Sequence, residues 1–179
     1  MKVLAVFALV CAMMALTSAE AVAEAEAEPE AEPEKAQAEE LDVAKRTCFR
    51  RCPCGWTRIG HRCFRYICHS LTWPQAERNC VSLGGHLASV HSVWEYRRIR
   101  LLVFKKTRHH PQAWLGANDR CQEGVWRWSD GSRLNYKGWC CGEPNNAGNQ
   151  DCLQMNFGGH KCWDDRQCHH RLPSVCVRN

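Results

Sequence analysis

The sequence predicts a disulfide-rich α+β domain that follows two segments of different composition. Two stretches carry the start signals of helices, and several short stretches have the alternation and turns that are typical of strands. The third observation is the presence of 14 cysteines among 179 residues. Cysteine at this density indicates a disulfide framework formed in an oxidising compartment. We therefore expect two helices and short antiparallel strands, held together by disulfides.

The first 46 residues differ from the rest of the chain. Residues 1–19 read as a secretory signal peptide, in which an apolar run precedes the small-residue cleavage site Thr17-Ser18-Ala19. Residues 20–46 are rich in Glu and Ala and end at the dibasic pair Lys45-Arg46. Such a composition buries too little apolar surface to fold alone. We predict an acidic propeptide that is removed, with a retained acidic linker as the alternative, and a secreted chain without a membrane anchor.

The remaining segment, residues 47–179, is predicted to be one strongly basic domain. It holds 20 of the 24 basic residues and 9 of the 19 acidic ones, which gives a net charge of +11. Such a secreted domain is attracted to anionic surfaces, for example microbial envelopes or sulfated glycans. Nucleic acid would attract it too, but secretion makes that partner improbable, so we expect none. The sequence contains no recognisable activated nucleophile or acid–base pair, and we expect no enzyme.

Local signals place the two helices and several strands. Thr72 can cap a first helix with Pro74 in its first turn, and Gly84-Gly85 ends it. Ser92 and Glu95 form a capping-box pattern for a second helix. On that helix one face carries Tyr96, Ile99 and Val103. Strands are predicted as a hairpin in 55–66 and as single strands in 124–131 and 174–177.

The stretch from Cys140 to Cys168 concentrates side-chain oxygens between cysteines. Its three motifs, in order, are Glu143-Pro144-Asn145, Gln150-Asp151-Cys152 and Trp163-Asp164-Asp165. Hard cations such as Ca²⁺ take six to eight oxygen ligands from carboxylates, amides, carbonyls and water. The residues that can supply these oxygens are Glu143, Asn145, Gln150, Asp164 and Asp165. A solvated acidic loop is the alternative interpretation of the same composition.

The order of these motifs resembles the calcium and sugar site of C-type lectin domains, and the resemblance runs from Cys52 to Cys176. Glu143-Pro144-Asn145 is similar to the mannose-type version of the site, in which the proline is cis. The acidic leader resembles that of fish ladderlectin-like lectins and type II antifreeze proteins. The resemblance implies a C-type lectin-like fold with a long calcium and sugar loop. It also implies Ca²⁺ as the cofactor and sugar contacts from Glu143, Asn145, Gln150 and Asp164.

Two positions depart from the mannose-type pattern. The pattern would have Glu at position 150 and Asn at position 164, where this chain has Gln150 and Asp164. The five-residue ligand set keeps three negative charges, and calcium affinity depends on that charge count. One sugar hydroxyl would pair with Glu143 and Asn145 and the other with Asp164 and Gln150. Each hydroxyl would then keep one donor and one acceptor.

These features favour a secreted, calcium-dependent lectin with a mannose-type site that recognises microbial surface glycans in innate defence. A type II antifreeze protein, which binds ice on the same scaffold, is the alternative. The many basic residues and few threonines of residues 47–179 argue against a flat ice-binding surface. A third interpretation is a disulfide-linked domain that binds another protein.

The resemblance also implies disulfide pairs. Three pairs belong to the family pattern, namely Cys52–Cys63, Cys80–Cys176 and Cys152–Cys168, and the extra bridges of the fish relatives suggest Cys140–Cys162. Cys121 and Cys141 then pair by elimination. A strand register that sets Cys52 opposite Cys63 places Cys48 near Cys68. We therefore expect a Cys48–Cys68 disulfide and a free Cys54, which could link two chains into a homo-oligomer.

Tryptophans can stack on sugar rings or pack in the core, and core packing is the expectation for most of them. The five candidates are Trp114, Trp126, Trp128, Trp139 and Trp163.

Overall fold

The computed structural model describes residues 52–179, so the expected signal peptide and propeptide lie outside the described residues. Within that range the chain alternates short strands with two helices. The elements are β1 (Thr57–Ile59), β2 (Arg62–Leu71), α1 (Trp73–Ser82), β3 (His86–Leu87), α2 (Val93–Thr107), β4 (Ala113–Asn118), β5 (Arg127–Trp128), β6 (Cys152–Phe157), β7 (Cys162–Arg166) and β8 (Leu172–Arg178). The prediction of an α+β domain with two helices is confirmed.

One sheet connects the eight strands in the order β1-β2-β8-β4-β6-β7, with β3 on β8 and β5 on β4. The pair β4–β8 is parallel and the other strand pairs are antiparallel, so the sheet is mixed rather than purely antiparallel. The last strand lies between β2 and β4. It therefore joins the two ends of the described chain in the middle of the sheet.

The helix α1 begins and ends where local signals predict. The backbone N–H of Thr72 donates to the side-chain oxygen of Gln75 at 3.2 Å, and Pro74 occupies the first turn, where proline is tolerated. At the other end, Gly84 has φ +79 and its N–H donates to the carbonyl of Val81 at 2.9 Å. Glycine adopts this left-handed conformation without a steric penalty, so the helix can end there.

The helix α2 has only half of the predicted capping box. Ser92 Oγ accepts from the N–H of Glu95 at 3.1 Å, as the pattern requires. The Glu95 carboxylate does not return to the N–H of Ser92. It accepts instead from the N–H of His91 at 2.8 Å and forms a buried ion pair with Arg62 at 2.5 Å. The Glu95 carboxylate therefore binds a local N–H other than the predicted one and also a long-range charge partner.

Two apolar clusters fill the space between the helices and the sheet. The inward face of α2, with Tyr96, Ile99 and Val103, packs in the larger cluster against residues such as Leu153 and Trp163. The inward face of α1 packs in the smaller cluster, which contains the cysteines Cys80 and Cys176. The helix face predicted from the sequence is the one that is buried.

Four disulfides join the described residues. They are Cys52–Cys63, Cys80–Cys176, Cys140–Cys162 and Cys152–Cys168, which are the pairs that the resemblance implies. A disulfide typically stabilises a small domain by roughly 2–4 kcal/mol, chiefly by restricting the unfolded chain. The Cys80–Cys176 bridge connects α1 to β8 and so fixes the first helix to the centre of the sheet.

The expected disulfide between Cys121 and Cys141 is not formed. Both residues are exposed and carry free thiols, Cys121 in the turn after β4 and Cys141 in the loop before the Glu143–Pro144 bond. The prediction was wrong because the cysteines within one domain need not all pair. An exposed thiol remains in contact with water, so it carries no desolvation penalty and needs no partner in the fold.

The β1–β2 register differs from the one on which the predicted Cys48–Cys68 disulfide rested. In the β1–β2 hairpin Cys63 lies opposite Arg58. Cys52 precedes strand β1 and forms its disulfide with Cys63 from outside the hairpin register. Cys68 is exposed with a free thiol, and Cys48 lies outside the described residues. Cys54 is also free and exposed, so it is one of four free thiols in the described chain.

No helix between residues 52 and 179 is long and apolar enough to cross a membrane.

Candidate functional site

The site forms where the loop after the Glu143–Pro144 bond, which is cis, meets strand β7. Side chains of this loop hydrogen-bond to its own backbone. Asn145 Oδ1 accepts from the N–H of Ala147 at 2.8 Å, and Asn146 Oδ1 accepts from the N–H of Gln150 at 2.7 Å. Asn and Asp are suited to such local bonds, which replace those of a helix or sheet. The polar sequence therefore shapes the loop.

Asp165 fixes this loop to the sheet. Its two carboxylate oxygens accept from the backbone N–H groups of Asn145 at 3.0 Å and of Asn146 at 2.7 Å. The Asp165 side chain is fully buried, so both bonds are shielded from water. Charge-assisted bonds of this kind are about twice as strong as neutral ones. Asp165 thus holds Asn145 next to the other acidic residues of the site.

Three carboxylates converge at this point. Glu143, Asp164 and Asp165 each place an oxygen within 4.8 Å of the others. Asp164 is almost completely buried and accepts from Gln154 Nε2 at 2.5 Å. Gln154 lies opposite Asp164 in the β6–β7 ladder, which brings their side chains to the same face.

Burial and the neighbouring negative charges oppose the ionisation of Glu143 and Asp164 and raise the pKa of each. Burial of the carboxyl, its interaction with Asp165 and the charge of Asp164 raise the pKa of Glu143 to about 7. Burial, together with the charge of Asp165, also raises the pKa of Asp164, whereas the hydrogen bond from Gln154 acts in the opposite direction. A bound cation would relieve this repulsion, because it favours the ionised form of each carboxyl.

The donor set fits a hard cation such as calcium. Glu143 Oε2 and Gln150 Oε1 are buried and accept no hydrogen bond from the protein. A buried oxygen without a partner is costly, and a cation ligated by oxygens is one means of satisfying such an atom. The ligands are carboxylates and amides, which are the groups that bind Ca²⁺ and Mg²⁺. Zinc sites differ, because they are rich in Cys and His.

A second group of acids lies beside the first. The N–H of Asp119 donates to the carbonyl of Asp151 at 3.2 Å, and Asp119 Oδ2 accepts from the N–H of Gly124 at 2.9 Å. Burial and the charges of Asp151 and Asp165 raise the pKa of Asp119. These carboxylates add to the negative potential around the site, which attracts cations.

An aromatic groove adjoins the acidic cluster. A cavity of about 550 Å³ is lined by Trp126, Trp139, Lys137, Glu143 and Pro144, among others. Trp126 and Trp139 are half-buried and meet edge to face with their ring centroids 4.7 Å apart. They are the two candidate tryptophans with surface available to a ligand. The other three are buried in the core: Trp114, Trp128 and Trp163.

The structure brings the three predicted acidic residues together, whereas the two predicted amide residues differ in how their side-chain oxygens are used. Asn145 is tied to Asp165 through its backbone, and its side-chain oxygen is already engaged with Ala147. Gln150 contributes a buried oxygen that is free to bind. Two residues of the site were missed by sequence reasoning, Asn146 and Gln154. Asn146 could have been found from its place in the amide-rich loop, but Gln154 carries no local signal.

The described domain is similar to known proteins along most of its length. A family model described as "Lectin C-type domain" matches residues 69–178. Ladderlectin of Oncorhynchus mykiss is 38% identical over 97% of this chain and 92% of its own length. The type-2 ice-structuring protein of Hemitripterus americanus is 37% identical over 97% of this chain and 98% of its own. The galactose-specific lectin nattectin of Thalassophryne nattereri is 40% identical over 72% of this chain and 80% of its own length.

Solved structures have the same fold. The calcium-free form of a Ca²⁺-dependent type II antifreeze protein matches with a TM-score of 0.66 and 34% identity, over 72% of this chain and 100% of that one. A calcium-independent type II antifreeze protein matches with a TM-score of 0.65 and 38% identity, over 71% and 93%. Structures similar to this chain thus include both calcium-dependent and calcium-independent proteins.

Proposed function

Because this chain belongs to the C-type lectin domain family, we propose that it is a secreted lectin that binds carbohydrate through a calcium ion. One observation carries the proposal: the carboxylates of Glu143, Asp164 and Asp165 converge, and Glu143 Oε2 is buried without a hydrogen-bond partner. These three residues, Gln150 and Asn145 would hold the ion. When bound, the ion would supply coordination positions for two hydroxyls of a sugar ring.

The residues around the ion would orient the sugar. Glu143 can accept a hydrogen bond from one hydroxyl, and Asp164 can accept from the other through the oxygen that does not bind Gln154. Gln150 and Asn145 can donate through their amide groups. The groove at Trp126 and Trp139 would then contact the apolar face of a ring or of the next sugar along the chain.

The proposed sugar class is inferred from this loop. Glu143-Pro144-Asn145 resembles the mannose-type sequence, and on that basis we propose mannose-like vicinal hydroxyls as the ligand. A relative is named as galactose-specific, so galactose is the natural competitor in a test. The net charge of +11 on residues 47–179 supports glycans of anionic microbial surfaces as the target and a role in innate defence.

A calcium titration combined with a glycan array tests this function. We expect calorimetry to detect Ca²⁺ binding in the range of roughly 10⁻⁴–10⁻³ M that is typical of extracellular modules. Mannose-type glycans should bind in Ca²⁺ and be released by a chelator. Asp165→Asn should weaken calcium and sugar binding together, whereas Asp130→Asn, a matched change outside the site, should leave both unchanged. Glycan binding that persists in chelator would overturn the proposal.

Ice binding is the second candidate, supported by the type-2 ice-structuring protein that aligns with nearly the whole chain. Thermal hysteresis and ice-recrystallisation assays test it directly. We expect neither effect at protein concentrations that suffice for glycan binding, because residues 47–179 are rich in charged side chains. Thermal hysteresis in a chelator-treated sample that binds no glycan would favour ice over sugar.

A further inference from the structure

The outward side of helix α2 exposes an unusual number of large apolar side chains. Four of the five exposed large hydrophobic residues in the described chain lie on this one helix. They are Val93, Trp94, Leu101 and Phe104, with exposed fractions of 49, 53, 40 and 37%. Isolated surface hydrophobics need no explanation, but a group on a single element indicates a contact surface.

These side chains fall on the same side of the helix. At 3.6 residues per turn, the four apolar positions span an arc of about 100°, and Lys105 and Arg98 at its edge extend the arc to about 140°. The opposite arc holds Tyr96, Ile99 and Val103, which are buried in the core. The exposed face is therefore a second, outer stripe of the helix, and its side chains do not belong to the core clusters.

Basic residues interleave with the apolar ones. The exposed cations of the outer stripe are Arg97, Arg98, Lys105 and Arg108, the last at the end of the helix. The Arg98 guanidinium lies 5.7 Å from the centre of the Trp94 ring. Glu95 is the sole acidic residue of α2, and it is buried and paired with Arg62. No carboxylate of the helix offsets the positive charge of its outer face.

A basic pocket borders this face. The cavity, of about 290 Å³, lies between α2 and β1, and its lining includes the cations Arg58, Arg98, Lys105 and Lys106 but no acidic residue. Ile59, Leu101 and Leu102 form its apolar walls. Four cations around an apolar recess fit an anionic headgroup with an attached hydrocarbon region.

We propose that the outer face of α2 and this pocket bind the surface of an anionic lipid bilayer. Helices that lie in a membrane interface combine Trp, Phe and Leu with Lys and Arg in this manner. The apolar residues would enter the boundary between headgroups and acyl chains, and the basic residues would contact the anionic headgroups. None of these residues belongs to the cluster of Glu143, Asp164 and Asp165, so bilayer binding does not depend on the proposed lectin function.

Sedimentation with lipid vesicles tests the proposal. We expect the protein, in chelator to silence any calcium site, to bind vesicles of phosphatidylcholine with phosphatidylserine but not vesicles of phosphatidylcholine alone. Reversing two charges with Arg98→Glu and Lys105→Glu should lower the partition coefficient at least tenfold, since each basic residue near the surface contributes about fivefold. Arg133→Glu with Arg171→Glu, two exposed charge reversals on other segments, is the matched control and should have a smaller effect.

A second pair of variants separates a bilayer from a soluble polyanion. Trp94→Ala with Leu101→Ala should weaken vesicle binding but leave retention on immobilised heparin unchanged, because only the bilayer takes up apolar side chains. Val81→Ala, equally exposed on α1 at 52%, should leave both unchanged. Heparin binding without vesicle binding would overturn the proposal in favour of a sulfated polysaccharide. Failure to bind any anionic vesicle would overturn it as well.

Self-association is the remaining competing use of this face. Light scattering without lipid would detect it as a mass that rises with concentration. If the Trp94→Ala and Leu101→Ala changes abolished such a rise while vesicle binding stayed intact, the face would belong to a second copy of the chain and the proposal would be wrong.

Discussion

Gln154 Nε2 donates to Asp164 Oδ2 at 2.5 Å across the β6–β7 ladder, and both side chains are almost completely inaccessible to solvent. This bond occupies one oxygen of Asp164 and leaves the other for the acidic cluster. It also explains how a carboxylate is accommodated where the mannose-type pattern has an amide. Gln154 supplies the donor that a buried, charged Asp164 needs.

The two departures from the mannose-type pattern should compensate for each other. Asp164→Asn removes one negative charge from the ligand set, and we expect it to weaken Ca²⁺ binding by roughly tenfold or more, because affinity follows the ligand charge count. Adding Gln150→Glu restores the charge and should restore the affinity, as measured by calorimetry. A double variant no better than the single one would show that the two positions are not coupled through charge.

Gln154 should be needed to hold Asp164 in position. Gln154→Met keeps most of the volume but removes the donor, which leaves Asp164 buried without its hydrogen bond. We expect a loss of about 1.5–3 kcal/mol in the free energy of unfolding, measured by denaturant titration in chelator. In a Gln154→Met, Asp164→Ala double variant the added cost of the Gln154 change should largely vanish. An equal cost in both backgrounds would rule out the bond as its cause.

The calcium-free protein should become more stable as the pH falls below neutrality. The folded pKa of Glu143, about 7, lies above its ordinary value of 4.5, so the folded state binds this proton more tightly than the unfolded state. This contribution is present below pH 4.5 and is lost as the pH rises through about 7. We expect Tm in chelator to be higher at pH 5.5 than at pH 7.5 because of this group.

Two comparisons isolate Glu143 in that profile. Glu143→Gln should flatten the rise in Tm without removing all of it, because the pKa of Asp164 is also raised. Added calcium should raise Tm more at pH 7.5 than at pH 5.5. It binds the ionised carboxylates, and its affinity falls as Glu143 takes up its proton. A pH profile of Tm that Glu143→Gln leaves unchanged would contradict the assignment.

The buried ion pair between Arg62 and Glu95 should dominate the stability of the α2 N-terminus. Glu95 is left with an unpaired charge if Arg62 is replaced, and breaking a buried pair in this way costs about 3–5 kcal/mol. We therefore expect Arg62→Met to lower the free energy of unfolding by that amount. Arg58→Met is the control: Arg58 is exposed and bonds only to the carbonyl of Gly60 among described residues, so its loss should cost little.

Four thiols of the described domain should react in the native protein. Cys54, Cys68, Cys121 and Cys141 are exposed and free, so a thiol reagent should label all four without denaturant in a Cys48→Ser background. Replacing Cys121 and Cys141 by serine should lower the count by two. An unchanged count would mean that this pair is joined after all. Because several thiols are exposed, Cys54→Ser alone should not abolish disulfide-linked dimers on non-reducing gels.

The sequence by itself determined the helix starts, the apolar face of α2 and the oxygen-rich residues of the site. Thr72 and Ser92 cap helices through partners three positions away, and the face of Tyr96, Ile99 and Val103 follows from the helical repeat. Such features depend on short stretches of chain, so they can be read without knowledge of the fold. The resemblance to a family added the cysteine pairs and the cis form of Pro144.

Only the tertiary structure decided which residues meet across strands. The register of β1 and β2 placed Arg58 opposite Cys63, and the register of β6 and β7 placed Gln154 opposite Asp164. A register is set by the packing of the whole sheet, so residues near in sequence do not reveal it. The long-range partner of Glu95 and the apolar stripe left uncovered on α2 are decided in the same way, because burial depends on what the rest of the chain covers.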